Sequence, residues 1–273
     1  MRPVRVALAL ALLLALPAAS PSAEPDSSAD DCAFIADTRP RQYVAYRLAD
    51  GQQLTLDGRL DDAAWAEVGW SEPFVDISEA ATPPLRTQVK LRWDEEYLYV
   101  GARLEEPQVA ANISTCCHCV NSSQDQVIFH DSDFEVFVDA DGSTHNYKEM
   151  ETNALHATWD LLLSRSYEDG GSENSSRLFG ADGWDMMEPR GTGRAAAFTD
   201  GVMNDPQSKP SFWSVEIRLP LHKLAELTTA RLPGDAAGES GPPLMWRINF
   251  SRVEVRHASL FSSDFPRFSD SLR

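Results

Sequence analysis

The stretch from Asp131 to Leu163 most constrains the fold, because apolar and polar residues alternate along it with the two-residue period of a β-strand. The alternation is interrupted at Asp141 and Gly142, a pair that favours a tight turn, and then resumes. The sequence therefore predicts a β-hairpin here. The faces of its first strand would carry Phe134, Val136 and Val138 on one side, and Asp133, Glu135, Phe137 and Asp139 on the other.

The second predicted strand adds polar side chains next to the acidic face of the first. This side would carry His145, Tyr147, Glu149, Glu151 and Asn153. Carboxylates on adjacent strands repel one another unless a cation, an arginine or solvent lies between them. We therefore expect the acidic face of the hairpin to be the functional surface.

Short alternating segments recur along the rest of the chain, separated by turns rich in Gly, Pro and Asp. Residues 87–93 and 97–104 predict a second hairpin, and further strands are predicted at 54–56, 159–163, 194–199, 212–219 and 244–255. No strand–helix–strand rhythm and no internal repeat is present. The pattern predicts an all-β fold, an antiparallel β-sandwich of the immunoglobulin or jelly-roll type with short helical turns.

The first 23 residues have the form of a secretory signal peptide, with a basic start, an apolar core and a small-residue cleavage region. We expect no membrane span, because the apolar run is too short to cross a bilayer comfortably. Residues 24–50 are predicted to be a flexible lead-in, 51–256 the sandwich, and 257–273 a divergent or truncated tail. The sequence therefore predicts a secreted, extracellular protein.

The net charge of −18 disfavours nucleic acid and anionic membrane surfaces as partners, and it permits cations and neutral ligands. Four Asn-x-Ser sequons are candidate glycosylation sites in a secreted protein. They start at Asn112, Asn121, Asn174 and Asn249.

Four cysteines bear on the redox state of the chain: Cys32, Cys116, Cys117 and Cys119. Export favours disulfides, and a loop disulfide is the first candidate, with Cys32 as one option for the partner. Free thiols and a local pairing remain open. Adjacent cysteines lack the usual spacing of a zinc site, which argues against a metal clip around His118.

Five segments occur in a familiar order. They are LDGRLDDAAWAEV (56–68), VKLRWDEEYLYVGARLEEP (89–107), DSDFEVFVDADGSTHNYKEMETNALHATWDLLL (131–163), WSVEIRLP (213–220) and WRINFSRVE (246–254). Together they resemble the family 9 carbohydrate-binding modules. The resemblance implies a β-sandwich that binds sugars, often with bound calcium, and that usually accompanies a glycoside hydrolase.

Sugar sites combine aromatic faces, which stack on the ring, with carboxylate and amide groups that bind neighbouring hydroxyls. The resemblance implies a sugar-contacting carboxylate at Glu135 and an aromatic side chain beside the ligand at Phe129. Each of these also has a structural interpretation, as a buried hydrogen-bonding group or as part of the core. The other predicted ligand residues are Glu149, Glu151, Asn153, Trp159 and Trp184.

The turn after the first acidic strand is rich in oxygen ligands. Asp139 and Asp141 are predicted to hold a structural calcium ion, since calcium takes six to eight oxygen ligands. The spacing differs from that of an EF-hand loop, and a solvated acidic turn is the alternative interpretation.

The sequence predicts an exported carbohydrate-binding domain that is not catalytic by itself, associated with polysaccharide breakdown, whose partner is a poly- or oligosaccharide. A glycoside hydrolase, or an accessory part of one, is the alternative, because paired carboxylates are its catalytic requirement. No other hydrolase motif is present. A third alternative is a haem or metal redox domain, which would need an exposed axial Met/His pair; Met150 and His156 are present, but nothing in the sequence marks them out for this role.

Overall fold

A computed structural model describes residues 40–77, 82–114, 127–179, 182–186, 194–233 and 244–254. The predicted signal peptide, the four cysteines and the predicted tail lie outside these residues. The chain divides into two compact units. The first comprises Met1–Val44 and Val75–Pro83, and its described residues contain no helix or strand; the second comprises Ala45–Phe74 and Pro84–Arg273 and contains both sheets.

The first sheet of the described residues has five strands. In spatial order they are β1 (Tyr46–Arg47), β2 (Thr87–Trp93), β3 (Tyr97–Glu105), β9 (Phe212–Pro220) and β8 (Arg194–Thr199). Only the short β1 is parallel to its neighbour among these strands, and the other pairs are antiparallel.

The second sheet also has five strands in the part of the chain that the structure describes, and all of its pairs are antiparallel. Their spatial order is β10 (Arg247–Val253), β4 (Asp133–Asp139), β5 (Tyr147–Asn153), β6 (Thr158–Leu163) and β7 (Glu173–Asn174). The short helices are α1 (Ala63–Ala66), α2 (Ser176–Phe179) and α3 (Leu221–Ala225). The predicted antiparallel β-sandwich with short helical turns is confirmed.

The main core lies between the inner faces of the two sheets. β3 contributes Val100 and Leu104, and β4 contributes Phe134 and Val136, all of which are almost fully buried. At one edge, the Arg252 guanidinium of β10 reaches the other sheet and donates to Thr87 Oγ1 at 3.2 Å and to Glu106 Oε2 at 2.9 Å. The alternation predicted from the sequence therefore separates a shared apolar interior from two outer faces.

The outer face of the first sheet is covered by residues 54–68, which include α1. Trp65 is buried there, and its indole N–H donates to Glu216 on β9. The strand predicted at 54–56 is wrong: side-chain carboxylates bind a backbone N–H group within this segment and another directly after it. Thr55 N donates to Asp62 Oδ2 at 2.7 Å, and Asp57 N donates to Glu216 Oε2 at 2.9 Å.

Among the helices of the described residues, none combines the length and the apolar character that crossing a bilayer requires.

Candidate functional site

The β4–β5 hairpin places a set of carboxylates on the outer face of the second sheet. The predicted polarity of β4 is confirmed: Phe134 faces the core and Glu135 faces outward. In the register of the hairpin, Glu135 lies opposite Glu151. Because side chains alternate along a strand, Asp133 and Glu149 share this outer face. Asp133, Glu135, Glu149 and Glu151 form what we term the acidic cluster.

The acidic cluster is buried although it lies on an outer face. Its members are exposed by only 0% (Asp133), 7% (Glu135), 6% (Glu149) and 2% (Glu151). Part of the cover is a second apolar cluster, in which Trp159 and Leu161 of β6 pack with Ile128 from the turn before β4. This sheet face therefore presents carboxylates within a region of low dielectric constant.

Burial raises the pKa values of all four carboxyl groups of the acidic cluster, and repulsion from other members adds to the rise at Asp133, Glu149 and Glu151. Burial raises the pKa of Glu149 to about 8, and the charge of Glu135 adds to this rise. Burial, followed by the charges of Asp133 and Glu135, raises the pKa of Glu151 to about 11. Burial likewise raises the pKa of Asp133 well above its usual range. Hydrogen bonding between the two side chains works against the rise in the pKa of Glu149 and adds to the rise in the pKa of Glu151.

Two members of the cluster also bind β10. Ser251 Oγ donates to Glu135 Oε2, and the Val253 N–H donates to Asp133 Oδ1 at 3.2 Å. The other oxygen of Asp133 is buried and has no hydrogen-bond partner among the described residues, and the same is true of one oxygen each of Glu149 and Glu151. Hydrogen bonding therefore satisfies only part of the cluster.

A small open pocket lies on the same face, towards the β4–β5 turn. It is lined by Phe137, Asp139, Tyr147, Arg247, Ile248 and Asn249. We term it the polar pocket. Asp139 Oδ1 and the Tyr147 hydroxyl are buried atoms without a hydrogen-bond partner in the described part of the chain. Arg247 and Asn249 are solvent-exposed, so the pocket combines unsatisfied acceptors and donors with a surface that a ligand can reach.

A profile of the family described as "Carbohydrate family 9 binding domain-like" matches residues 56–232. The chain belongs to this family. The match supports a carbohydrate-binding function, and it confirms the family resemblance seen in the five sequence segments.

Solved structures similar to this family 9 domain include two of a family 9 carbohydrate-binding module from Caldicellulosiruptor kristjanssonii. The one in complex with cellotriose is 17% identical, with a TM-score of 0.34, over 64% of this chain and 66% of that one. The one in complex with glucose is 18% identical, with a TM-score of 0.35, over 71% of each chain. A putative carbohydrate-binding protein from Bacteroides uniformis is 13% identical, with a TM-score of 0.41, over 68% of this chain and 75% of that one. A search of curated proteins found no match.

In this family 9 domain, the predicted ligand residues Glu135, Glu149 and Glu151 come together in the acidic cluster. Asn153 shares their face but is fully buried. Its amide nitrogen donates to Ile113 O at 2.7 Å and to Asp131 Oδ2 at 3.0 Å. The amide nitrogen therefore binds the loops that flank the hairpin. Its predicted ligand role stays a prediction.

The two predicted aromatic residues next to the hairpin pack against each other. The ring centroids of Phe129 and Trp159 are 6.1 Å apart, and the Arg177 guanidinium lies 5.1 Å from the Trp159 ring. Trp159 is buried, whereas Phe129 is half-buried and keeps part of its ring accessible. Both lie on the outer face of the second sheet, and their predicted ligand roles stay predictions.

Trp184 lies elsewhere. Its ring is buried, its indole N–H donates to Glu226 Oε2 at 3.0 Å, and Lys223 of α3 lies 5.9 Å from the ring centroid. Neither contact belongs to the acidic cluster or to the polar pocket. The predicted role of Trp184 as a stacking platform stays a prediction.

The two aspartates predicted to bind calcium take part in the turn after β4. Asp141 Oδ2 accepts from the Thr229 N–H at 2.8 Å and from its hydroxyl at 3.0 Å, and these bonds hold the pKa of Asp141 below its usual range. Asp139 lines the polar pocket; its Oδ2 accepts from the Thr144 N–H at 3.0 Å, while Oδ1 is buried and has no hydrogen-bond partner among the described residues. Calcium binding by this pair stays a prediction.

The predicted ligand set did not include Asp133, Tyr147, Arg247 or Asn249. Asp133 and Tyr147 were within reach of sequence analysis, because they share the alternating pattern of Glu135 and Glu149. Arg247 and Asn249 were not, because they join the site only through the pairing of β10 with β4.

Proposed function

We propose that this protein is an exported carbohydrate-binding protein, not catalytic by itself, that binds a poly- or oligosaccharide at the polar pocket and acts in polysaccharide breakdown. The site is proposed because two groups of the pocket residues, Asp139 Oδ1 and the Tyr147 hydroxyl, are buried and have no hydrogen-bond partner among the described residues. Sugar hydroxyls both donate and accept hydrogen bonds, so one saccharide can satisfy both groups.

The rest of the pocket suits the same ligand. The exposed Arg247 guanidinium offers several donors in a fixed geometry, and the Asn249 amide offers both a donor and an acceptor. Phe137 and Tyr147 supply ring surface for the C–H face of a sugar. Family membership supports the ligand class, and the form of the first 23 residues supports export.

A glycoside hydrolase is the second candidate, because Glu135 and Glu151 face each other and both have raised pKa values. Retaining hydrolases hold two carboxyl groups about 5–5.5 Å apart on either side of the scissile bond. However, burial leaves these two side chains little accessible surface for a sugar ring between them. This burial favours binding over catalysis.

Pull-down on insoluble polysaccharides, followed by titration with soluble oligosaccharides, tests the proposal. Cellotriose and glucose are the first soluble probes, because these sugars are bound in the two Caldicellulosiruptor kristjanssonii structures. The protein should be made without glycosylation, since Asn249 begins a sequon. Arg247→Ala and Asn249→Ala should each weaken binding about tenfold, as expected for the loss of a hydrogen bond to a desolvated ligand group.

Arg86→Ala is the matched control, because Arg86 is an exposed arginine at the start of the first sheet. Equal loss in this control and in the Arg247 variant, or no binding to any glycan by the intact protein, would refute the proposed site. Release of reducing sugar that disappears in Glu135→Gln would instead favour the hydrolase.

A further inference from the structure

The loop that connects β6 to β7 lies beside the polar pocket. Tyr147, which lines the pocket, is opposite Leu163 at the end of β6. The Asn146 N–H, directly before Tyr147, donates to Ser164 O at 3.1 Å and ties the start of the loop to β5. Residues 164–172, which we term the β6–β7 loop, therefore begin at the same end of the second sheet as the pocket.

Hydrogen bonds within the β6–β7 loop fix its conformation. The Gly171 N–H donates to Ser166 O at 2.9 Å, and the Ser164 N–H donates to Ser172 O at 3.1 Å. A Cβ atom on Gly171 would collide with Arg165 O, so this position requires glycine for the close approach of the two backbone segments. The loop therefore holds its side chains in defined positions.

Tyr167 is a large side chain that this closed loop leaves open to solvent. It is 47% exposed, whereas Trp159 and Leu163 of the neighbouring β6 are 5% and 0% exposed. Burial raises the pKa of Tyr167 above its usual range, and the charges of Glu149 and Glu173 add to the rise. The hydroxyl end therefore lies towards the acidic outer face of the sheet, and the rest of the side chain is accessible to a ligand.

The surroundings of Tyr167 separate it from an ordinary exposed aromatic residue. Single exposed aromatic side chains are common and need no function. Tyr46, for example, is 59% exposed on β1 of the first sheet, away from the polar pocket. Tyr167 instead lies beside a pocket in which Asp139 Oδ1 and the Tyr147 hydroxyl are buried without a partner in the described chain. An aromatic face and groups that can bind hydroxyls therefore adjoin one another.

The width of this surface sets the size of the ligand. Arg247 lies on β10, and the β6–β7 loop starts at the end of β6, three strands further across the sheet. Neighbouring strands are about 4.8 Å apart, so this span is about 14 Å. One sugar ring is too small to reach from Arg247 to Tyr167, whereas an oligosaccharide can contact both.

We propose that Tyr167 is the stacking platform of a second saccharide subsite beside the polar pocket, and that the protein therefore selects oligosaccharides over monosaccharides. Tyrosine suits this role because its ring offers an apolar face and loses little conformational entropy on binding. The inference rests on the proposed function, since the polar pocket has to hold the first sugar unit. A purely structural role for Tyr167, as a cover of the acidic cluster, would affect stability and leave the preference for chain length unchanged.

The test compares glucose with cellotriose by calorimetric titration of the full chain, made without glycosylation. If the pull-down identifies another polysaccharide, its mono- and trisaccharide replace this pair. The trisaccharide should bind at least about tenfold tighter than the monosaccharide. Tyr167→Ala should weaken the trisaccharide about tenfold and leave the monosaccharide within about twofold, as expected for the loss of one stacked ring. Tyr167→Phe keeps the ring and should retain the preference.

Two further variants separate this subsite from the pocket. Tyr46→Ala is the matched control, because it removes an exposed tyrosine from the first sheet, and it should leave both affinities unchanged. Arg247→Ala should weaken both sugars, because both occupy the polar pocket. Circular dichroism verifies that each variant is folded.

The second subsite is refuted if the trisaccharide binds no tighter than the monosaccharide, or if Tyr167→Ala weakens both sugars equally or neither. The proposed function survives these results as long as Arg247→Ala still reduces saccharide binding. If the intact protein binds no saccharide, the proposed function and the second subsite both fail.

Discussion

Glu135 on β4 lies directly opposite Glu151 on β5, and both carboxyl groups are buried on the outer face of the second sheet. Outer faces of antiparallel sandwiches usually present polar groups to water. Here an apolar cluster that includes Ile128 and Trp159 covers part of this face. The second sheet therefore has the main core on one side and a desolvated acidic region on the other, unlike the solvated outer face of an ordinary sandwich.

Replacement of Glu216 should test how the outer face of the first sheet is held. In Glu216→Gln, an amide N–H₂ group replaces one acceptor oxygen and faces an N–H donor, either that of Trp65 or those of Asp57 and Gly58. The free energy of unfolding should fall by about 2 kcal/mol, the range for hydrogen bonds to a charged group. Urea denaturation measures it. Glu72→Gln, at an exposed position, should change stability by less than about 0.5 kcal/mol; a similar effect of both variants would contradict the account.

Gly58 is required for the close approach of residues 54–68 to β8. Its φ is +83°, and a Cβ atom would lie 2.5 Å from backbone atoms of Ala197 and Phe198. Gly51 has a similar φ of +78° but open space around it, so Gly51→Ala isolates the conformational cost of about 1–2 kcal/mol. Gly58→Ala should cost at least about 2 kcal/mol more because the backbone must move. Equal melting temperatures for the two variants would show that no close approach exists.

The ion pair between Glu106 and Arg252 links the two sheets at one edge. Its nitrogen–oxygen distance is 2.9 Å, and both side chains are buried. Glu106→Gln removes the closer of the two carboxylates that pair with the Arg252 guanidinium and leaves Glu254 at 3.7 Å, so it should lower the free energy of unfolding by about 3 kcal/mol. The double variant Glu106→Gln/Arg252→Met should recover most of this loss. If the double variant is less stable than Glu106→Gln, the pair does not act as a coupled unit.

Lys148 should titrate near neutral pH. Its side chain is fully buried, it donates to Asn146 O at 2.8 Å, and burial lowers its pKa to about 8. In the unfolded chain a lysine titrates near 10.4. Because the folded state binds fewer protons between these values, this group makes stability rise with pH from about 8 to 10.4. Carbon-13 NMR of labelled lysine should find the native value near 8, and a native value near 10.4 would contradict the burial of the amine.

The alternation along 131–163 was sufficient to predict the β4–β5 hairpin and the direction in which Glu135 and Glu149 point. A period of two leaves few alternatives once one face of a strand is apolar. Together with the turn pattern, it also predicted the antiparallel sandwich. The strand predicted at 54–56 is absent: Asp62 binds the Thr55 N–H, and Glu216 binds the N–H of Asp57, the next residue after the predicted strand. The local pattern does not reveal an acceptor as distant in sequence as Glu216.

Only some residues of the candidate site could be predicted from the sequence. Arg247 and Asn249 reach the polar pocket because β10 pairs with β4 across about a hundred residues of chain, and register over that distance is not encoded locally. Trp184 was predicted to be a ligand residue because the composition of its loop favours an exposed ring. In the structure its indole N–H finds the Glu226 carboxylate, which allows the ring to be buried.

The most direct measurement of the central claim is a map of the saccharide contact by NMR. A nitrogen-15-labelled sample is titrated with the oligosaccharide that binds best in the pull-down. The account predicts that the amide shifts concentrate at Phe137, Tyr147 and Asn249, on the outer face of the second sheet. Shifts that concentrate instead around Gly101 and Glu216 on the first sheet, or no shifts at saturating sugar, would contradict it.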